Sequence, residues 1–302
     1  MMLRGVGVLD LTRLLPGGYC SQRLLQLGAD VLKIEPPGGD PLRHLPGGAA
    51  YFETLHQGKR LLTLDLKTAS GRERLEQEAA AADVLVEGFR PGVMERNGVG
   101  YAALSGINPR LVYCAITGYG STGPLARRAG HDLNYLARSG ALSLMPAAAG
   151  VPMIPGLQLA DLAGGLDAAF LIAAALFERE RTNKGRRVEV SMTDVIRGWT
   201  SLPRAASAAG ITPMQLTGEM PCYHVYPVRD GLLTVAALEP PFWQEFCHVI
   251  GRNDLVSRQF DASVVGEVAE ILAKATQGEW VSRFGDRDVC VEPVNELDEV
   301  DG

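Results

Sequence analysis

Short apolar runs alternate with helical stretches through the first two thirds of the chain. The runs that predict strands are residues 5–11, 30–35, 61–66, 83–87, 111–117 and 186–192. Between them, residues 16–27 and 68–81 have the spacing of a turn with a helix and of an Ala- and Glu-rich helix. Strands that alternate with helices favour a parallel sheet covered on both faces. We therefore predict an α/β fold with a doubly wound parallel sheet in a large domain, residues 1–200.

The last third of the chain has a different pattern. Residues 164–181 are Ala-rich and apolar and end near Gly185, which suits a buried central helix. Residues 201–220 contain Ser, Gly and Pro with little periodicity, which is typical of a linker. A smaller α+β domain is predicted over residues 221–302. Its elements are a hairpin at 223–237, helices at 241–250 and 262–275, and a closing stretch at 288–294.

Composition and charge exclude several classes of function. The chain has 302 residues, 46% hydrophobic and 21% charged, which is enough to bury a sizeable core. A net charge of −6 argues against a nucleic-acid-binding protein, which normally carries a basic face. No stretch of about 18 apolar residues lacks a charge, and the N-terminal residues do not resemble a signal peptide. We therefore expect a cytoplasmic protein without a membrane span.

Neither a metal site nor a nucleotide site is indicated by a motif. The five cysteines are widely spaced and contain no CxxC pair, so we expect no disulfide framework and no metal. Cys20 could be a nucleophile or a small buried hydrophobe, and the second interpretation is preferred. No GxGxxG motif follows the first strand, and no GxxxxGK[ST] motif is present, which argues against dinucleotide and triphosphate enzymes.

Two groups that can transfer protons lie beside predicted helix starts. His131 and Asp132 follow Gly130, and Asp161 lies thirty residues later, just before the long apolar helix. A His and an Asp so placed can face each other across a carbon next to a carbonyl, one taking a proton as the other gives one. The turn from Asp161 to Gly165 would offer backbone N–H groups to an enolate oxygen. Each residue also has a purely structural interpretation: His131 could be a core histidine, and Asp161 could be the N-cap of the helix.

Several unlinked motifs, in order, are similar to those of one enzyme superfamily. They lie at residues 28–40, 59–67, 87–93, 118–124, 130–135, 182–186 and 236–242. Over nearly its whole length the chain resembles the family III CoA-transferase superfamily, and the motifs at 130–135 and 236–242 resemble its alpha-methylacyl-CoA racemase branch. The resemblance implies a Rossmann-like large domain, a small domain and an interlocked homodimer.

The resemblance also implies a reaction and its residues. The substrate would be a 2-methylacyl-CoA thioester, racemised by 1,1-proton transfer through an enolate, with no metal or redox cofactor and coenzyme A only as part of the substrate. The implied catalytic residues are His131, Asp161 and Glu239, with Glu239 orienting His131. The positions that align with contacts to coenzyme A are Arg43, Leu64, Leu66, Arg90, Arg96, Asp132 and Tyr135.

Two other functions remain open on the sequence alone. In a CoA-transferase, Asp161 would instead be a nucleophile that forms a mixed anhydride and passes coenzyme A to another acid. A non-catalytic CoA-binding partner of an active homologous subunit is the third possibility.

Members of the superfamily usually continue beyond the equivalent of Val294 through a segment that returns to the large domain, and we expect this segment to be missing here. The interlocking of the expected homodimer is therefore left open.

Overall fold

A computed structural model describes residues 1–211 and 216–300, which form two compact units. The large unit comprises Met1–Leu144 and Pro152–Gly210. The small unit comprises Met145–Val151 and Ile211–Gly302. The strands are β1 (Gly7–Asp10), β2 (Asp30–Glu35), β3 (Arg60–Thr63), β4 (Val84–Glu87), β5 (Val112–Thr117), β6 (Ala147–Ala148), β7 (Val151–Pro152), β8 (Arg187–Ser191), β9 (Tyr223–Pro227), β10 (Leu232–Ala236) and β11 (Val291–Pro293).

Twelve α-helices accompany the strands in the described part of the chain. They are α1 (Leu14–Gln26), α2 (Gly48–His56), α3 (Ala69–Ala81), α4 (Val93–Arg96), α5 (Tyr101–Ile107), α6 (Asp132–Ser139), α7 (Leu159–Thr182), α8 (Met192–Trp199), α9 (Ser201–Ala208), α10 (Pro240–Val249), α11 (Val264–Leu272) and α12 (Gln277–Phe284).

The large unit is built on a six-stranded parallel sheet with strand order β3-β2-β1-β4-β5-β8. Successive residues of a strand point to opposite faces, and both faces of this sheet are covered, so its central strands are apolar at nearly every position. Val8 packs on the face that carries α1 and α7, whereas Leu9 packs on the face that carries α3 and α5. The predicted α/β class and doubly wound parallel sheet are confirmed.

Helix α7 is the central element of one face. A Cβ atom added at Gly165 would overlap the carbonyl oxygen of Pro16, so the missing side chain lets α7 and α1 approach closely. By length and composition α7 is the one described helix that could cross a membrane, but half of its most apolar window is buried inside the protein. At its far end Arg179 pairs with Asp83 at 3.0 Å, beside the amino ends of the strands.

The small unit has its own sheet and its own apolar core. Strands β11, β10 and β9 form an antiparallel sheet in that order. The core is rich in aromatic residues, because Trp243, Phe246, Trp280 and Phe284 are all buried against the sheet. The hairpin and the helices that the sequence predicts over residues 223–275 correspond to β9, β10, α10 and α11.

Two boundaries differ from the prediction. Residues 201–208 of the predicted linker form helix α9, which belongs to the large unit. Residues 212–215 of that linker lie outside the described residues. Helix α7 begins at Leu159 rather than Gly164, five residues earlier than its apolar composition indicates.

Candidate active site

The loops that follow three neighbouring strands form a cleft. The strand order reverses between β1 and β4, and ligands of open α/β sheets bind where this occurs, beyond the carboxyl ends of the strands. The cleft has a volume of about 340 Å³ and is lined by the loops after β1, β4 and β5 and by the starts of α6 and α7. Its polar lining residues include Arg13, Arg90, Arg128, His131, Tyr135 and Asp161.

A second cavity of about 570 Å³ adjoins this cleft. It is lined by the loops after β2 and β3, with Leu64 and Leu66 among its apolar walls. Arg13, Phe89 and Arg90 line both spaces, and the Arg13 guanidinium lies 5.1 Å from the centre of the Phe89 ring. The two spaces are therefore suited to one long ligand that passes Arg13 and Arg90.

Asp132 joins the starts of α6 and α7. Its Oδ1 atom accepts hydrogen bonds from the backbone N–H groups of Ala160 (2.6 Å) and Asp161 (3.1 Å). A carboxylate at a helix N-terminus satisfies free donors and complements the helix dipole. Because His131 precedes Asp132, this one carboxylate brings His131 and Asp161 to the same cleft. The sequence places both residues beside helix starts, and the geometry shows how Asp132 brings those two starts together.

Asp161 occupies the first turn of α7 and is partly buried. Burial, with the negative charge of Asp132 as a second cause, raises the pKa of Asp161 to about 7 from its ordinary value near 3.8. The carboxyl group can therefore both accept and donate a proton near neutral pH. Gln158 is the N-cap of the helix, so the N-cap alternative for Asp161 is wrong.

The expectation of free N–H groups between Asp161 and Gly165 is also wrong. These residues are helical, and the N–H of Leu162 donates to the carbonyl of Gln158 at 3.0 Å. The N–H groups of Ala160 and Asp161 already donate to Asp132. Capping by Asp132 extends the helix toward its N-terminus, which the apolar pattern of the sequence does not reveal.

His131 lies at the N-cap position of α6. Its backbone N–H donates to Asn134 Oδ1 at 3.0 Å, which fixes the main chain at the start of the helix. The residue is exposed and lines the cleft. Its imidazole is therefore accessible to a ligand that enters the cleft.

Tyr135 forms a wall of the cleft. Its hydroxyl donates to the carbonyl of Gly130 at 2.5 Å, and its ring meets the Tyr119 ring edge to face at 5.1 Å. Burial, with the charge of Asp161, raises the pKa of Tyr135 to about 12, so the phenol keeps its proton. Side chains at Gly118 or Gly130 would overlap the Tyr135 ring. The two glycines of the sequence motifs are therefore needed for packing.

The residues predicted to contact coenzyme A fall into two groups. Leu64, Leu66, Arg90 and Tyr135 line the cavities. Arg43, Arg96 and Asp132 line neither. The Arg43 guanidinium is held by both carboxylate oxygens of Glu35 at 3.0 Å and lies over the Phe52 ring. Arg96 lies on α4, one residue before Asn97, which does line the second cavity.

Glu239 belongs to the small unit. It lies at the N-cap of α10, where its backbone carbonyl accepts from the N–H groups of Phe242 (3.1 Å) and Trp243 (3.2 Å). Its carboxylate makes no capping hydrogen bond. The role of Glu239 beside His131 stays a prediction.

Sequence reasoning missed Arg13 and Phe89, although both line the two cavities. Arg13 follows the first predicted strand, so the rule that ligands lie beyond strand carboxyl ends was a usable signal. Cys20 is fully buried, and burial raises the pKa of its thiol, which disfavours the reactive thiolate. Residues 1–211 and 216–300 contain no group of three or more His, Cys, Asp or Glu side chains arranged to hold a metal ion.

Comparison with known proteins shows which family the chain resembles along its length. The model of "CoA-transferase family III" matches residues 3–301. The chain is 36% identical to human alpha-methylacyl-CoA racemase, over 99% of this chain and 79% of that protein. It is also 36% identical to a probable fatty acyl-CoA transferase of Mycobacterium tuberculosis, over 92% of this chain and 79% of that protein.

Solved structures give the same result. A crystal structure of a CAIB/BAIF family protein from Brucella suis superposes with a TM-score of 0.86 and 30% identity, over 98% of this chain and 84% of that one. Full-length similarity in sequence and fold, together with an acid–base cleft at the carboxyl ends of the strands, leads to one assignment. The chain is an enzyme of CoA-transferase family III, the superfamily that includes alpha-methylacyl-CoA racemases.

Proposed function

We propose that the protein racemises 2-methylacyl-CoA thioesters. The observation that carries this proposal is the pairing of Asp161, whose pKa is raised to about 7, with His131 in one cleft. A racemase that works through two acid–base groups needs both to change protonation state near neutral pH. Asp161 meets this requirement because burial, with the negative charge of Asp132 nearby, raises its pKa, and His131 supplies the second acid–base group.

The reaction moves one proton off the α-carbon and another onto its opposite face. In one direction the Asp161 carboxylate takes the α-proton, and the electron pair of the C–H bond moves onto the thioester oxygen to give an enolate. The His131 imidazolium then donates a proton to the other face, and the carbonyl forms again. Asp161 ends protonated and His131 neutral, so the reverse reaction starts from the state that the forward reaction leaves.

The shape and charge of the cavities favour a substrate that is bound through its coenzyme A part. Coenzyme A is long, with phosphates between an adenine and the acyl-bearing arm. Arg13 and Arg90 lie where the two cavities meet, and cations there would bind the phosphates. The apolar walls at Leu64 and Leu66 suit the adenine ring. The acyl group would then lie in the smaller cleft, beside His131 and Asp161.

The second candidate function is transfer of coenzyme A between carboxylic acids. The similarity to a probable fatty acyl-CoA transferase favours it as strongly as the racemase similarity favours the first. In this reaction the Asp161 carboxylate attacks the thioester carbon, and coenzyme A leaves as a thiolate to give a mixed anhydride. The second acid displaces the first from this anhydride, and the thiolate then attacks the new acyl carbon, which forms the product thioester and restores the Asp161 carboxylate. His131 has no required step in that sequence, which makes it the residue that separates the two functions.

One experiment separates the two reactions. A single enantiomer of a 2-methylacyl-CoA is incubated in heavy water with an isotopically labelled free acid, and the thioester is analysed by mass spectrometry and chiral separation. We expect α-deuterium and the opposite enantiomer with the wild type. His131→Ala should remove both, whereas His248→Ala, an exposed histidine of the small unit, should remove neither. Label in the thioester without α-exchange would show a transferase instead.

We also propose that the protein forms a homodimer through α7. Leu166, Phe170 and Phe177 are between 49% and 67% exposed and lie on one side of this helix, since they are spaced by four and seven residues. Exposed apolar stripes of this kind mark interfaces, and a two-fold dimer buries the same stripe of each copy. Sedimentation should show a dimer that Phe170→Glu dissociates. Phe260→Glu, at an exposed apolar residue of the small unit, should leave the mass unchanged.

A further inference from the structure

Four charged side chains are buried together at the carboxyl end of β1. Asp10, Lys33, Asp40 and Lys59 have side chains that are at most 1% exposed. Lys33 Nζ lies 3.6 Å from Asp10 and 3.2 Å from Asp40, and Lys59 Nζ lies 3.5 Å from Asp10. Two acids and two lysines balance, so the cluster is neutral. We call these four residues the buried charge cluster.

The buried charge cluster forms hydrogen bonds to the main chain of the loop that follows β1. Asp10 Oδ1 accepts from the backbone N–H of Thr12 at 2.9 Å, and Lys33 Nζ donates to the Thr12 carbonyl at 2.6 Å. Asp40 Oδ1 accepts from the backbone N–H of Leu14 at 3.2 Å. Three members of the cluster therefore hold the main chain on both sides of Arg13.

Leu14 has a strained backbone. Its φ angle is +61°, in the left-handed region that side chains other than glycine rarely adopt. Such residues persist only where their surroundings hold them, and they concentrate at functional sites. Leu14 lines the acid–base cleft, and its neighbour Arg13 lines both cavities.

We propose that Asp40 is a positioning residue for substrate binding. Its Oδ1 holds Leu14 in the left-handed conformation, and its Oδ2, which has no hydrogen-bond partner among the described residues, faces Lys33. Lys33 thus holds the Asp40 carboxylate in place, and that carboxylate holds the loop after β1. The result is that Arg13 is held over Phe89, where the two cavities meet. This inference rests on acyl-CoA being the substrate.

A purely structural role must be separated from this one. Asp40 also accepts from the N–H of Leu42 at 2.9 Å and so caps the short turn at Pro41–His44. Asp83 offers a matched control, because its carboxylate likewise accepts a backbone N–H, that of Gly7 at 2.7 Å, and pairs with Arg179. Asp83 lies at the amino ends of the strands, away from the cleft.

The test compares the two aspartates in the full chain. Affinity for acetyl-CoA is measured by calorimetry, stability by thermal unfolding, and kcat and KM by α-deuterium exchange. We expect Asp40→Asn to weaken acetyl-CoA binding and raise KM about tenfold with little change in kcat, as for a contact that binds ground and transition states alike. Asp83→Asn should lower the melting temperature and leave the affinity unchanged. If Asp40→Asn does not fold, Asp40→Glu carries the same test, since it keeps the charge beside Lys33 and displaces the oxygen.

A double-mutant cycle shows whether Asp40 acts through Arg13. Arg13→Gln should weaken binding by about as much as Asp40→Asn, and the double variant should bind no worse than either single variant, because coupled residues are not additive. Additive losses would overturn the proposal. So would an Asp40→Asn protein that binds acetyl-CoA as tightly as an active wild type. A wild type without α-exchange or acetyl-CoA binding would instead overturn the proposed function on which this inference depends.

Discussion

Asp10 and Asp161, one fully buried and the other partly buried, are carboxylates of the same unit with opposite surroundings. Asp10 lies between Lys33 and Lys59, accepts hydrogen bonds from Ser21 and Thr12, and has a pKa far below its ordinary value because these contacts outweigh the effect of burial. Burial raises the pKa of Asp161, and its charged neighbour Asp132, which is also negative, raises it further. The two lysines and the hydroxyl donors therefore keep Asp10 charged, whereas burial makes Asp161 an exchangeable acid.

The difference follows from where the fold puts the lysines. Asp10 and Lys33 are register partners on β1 and β2, so the sheet itself brings them together. Asp161 is on a helix whose neighbouring residues, Ala160, Leu162 and Ala163, carry no charge. A buried acid with a partner stabilises a structure, whereas a buried acid without one costs stability and gains reactivity.

The largest expected effect is on catalysis. Asp161→Asn should lower the rate of α-deuterium exchange by on the order of 10³-fold or more, because an amide cannot take the proton. Exchange is followed by mass spectrometry. Asp167→Asn, on the same helix and outside the cleft, is the matched control and should exchange at the wild-type rate. An active Asp161→Asn enzyme would remove Asp161 from the chemical step.

The next effect concerns the stability of the buried charge cluster. Lys33→Met leaves two buried carboxylates facing one lysine, and breaking a buried pair in this way should lower the free energy of unfolding by about 3–5 kcal/mol. Urea unfolding measures this. The control is Arg60→Met, which removes the exposed pair with Asp30 and should cost about 0–1 kcal/mol. Equal losses in the free energy of unfolding would mean that the buried pairs of Lys33 contribute no more than an exposed pair. That result would contradict the contrast drawn between Asp10 and Asp161.

A smaller effect is the pH dependence of stability that Asp161 contributes. Its pKa is about 7 in the folded protein and near 3.8 in the unfolded chain, so the native state keeps a proton that the unfolded state has lost. The stability this provides is full below about pH 4 and is lost as pH rises through 7.

Asp161→Asn mimics the protonated acid at every pH. The variant should match the wild type at pH 4 and exceed it at pH 8 by on the order of 2 kcal/mol, as measured by denaturant unfolding at both pH values. Asp286→Asn, an exposed acid of the small unit, should show no such pH dependence. A constant difference between Asp161→Asn and the wild type at both pH values would mean that Asp161 is not the buried acid described here.

The smallest effect is at Ser21. Its hydroxyl donates to Asp10 and accepts from Lys59 at 2.7 Å, and it is fully buried. Ser21→Ala should therefore lower the free energy of unfolding by about 1–2 kcal/mol, the usual result of removing one partner of a buried hydrogen bond. Ser143→Ala, at an exposed serine, serves as the comparison in the same unfolding experiment. A loss above that of Lys33→Met would show that hydrogen bonding, rather than charge pairing, holds Asp10.

The sequence predicted the features that depend on nearby residues. The strand at 111–117 is an apolar run, a pattern typical of buried parallel strands, and the strand at 30–35 carries Val31, Leu32 and Ile34 before the breaker at Pro36. Both predicted ranges agree with β5 and β2 almost to the residue. His131 and Asp161 were found because each lies in a motif beside a helix start. The prediction that they share a cleft is consistent with the geometry.

What the sequence could not predict depends on contacts between distant residues. Lys33 and Glu35 lie in a buried strand, and nothing local shows that one meets Asp10 and the other Arg43. The resemblance alone places Arg43 at a coenzyme A contact, and the sequence does not show that its guanidinium pairs with Glu35, eight residues away. The early start of α7 likewise depends on Asp132, which caps the helix from a different element.

Helix α7 is fixed along its length at three points. Asp132 holds its first turn, Gly165 meets Pro16, and Arg179 is anchored to Asp83. Each residue added to an α-helix rotates the remainder of that helix by roughly 100°. An insertion between Gly165 and Arg179 would therefore rotate one anchor away from its partner. The helix can evolve by exchanging side chains but not by changing length, so alignments of related enzymes should be free of gaps across this segment.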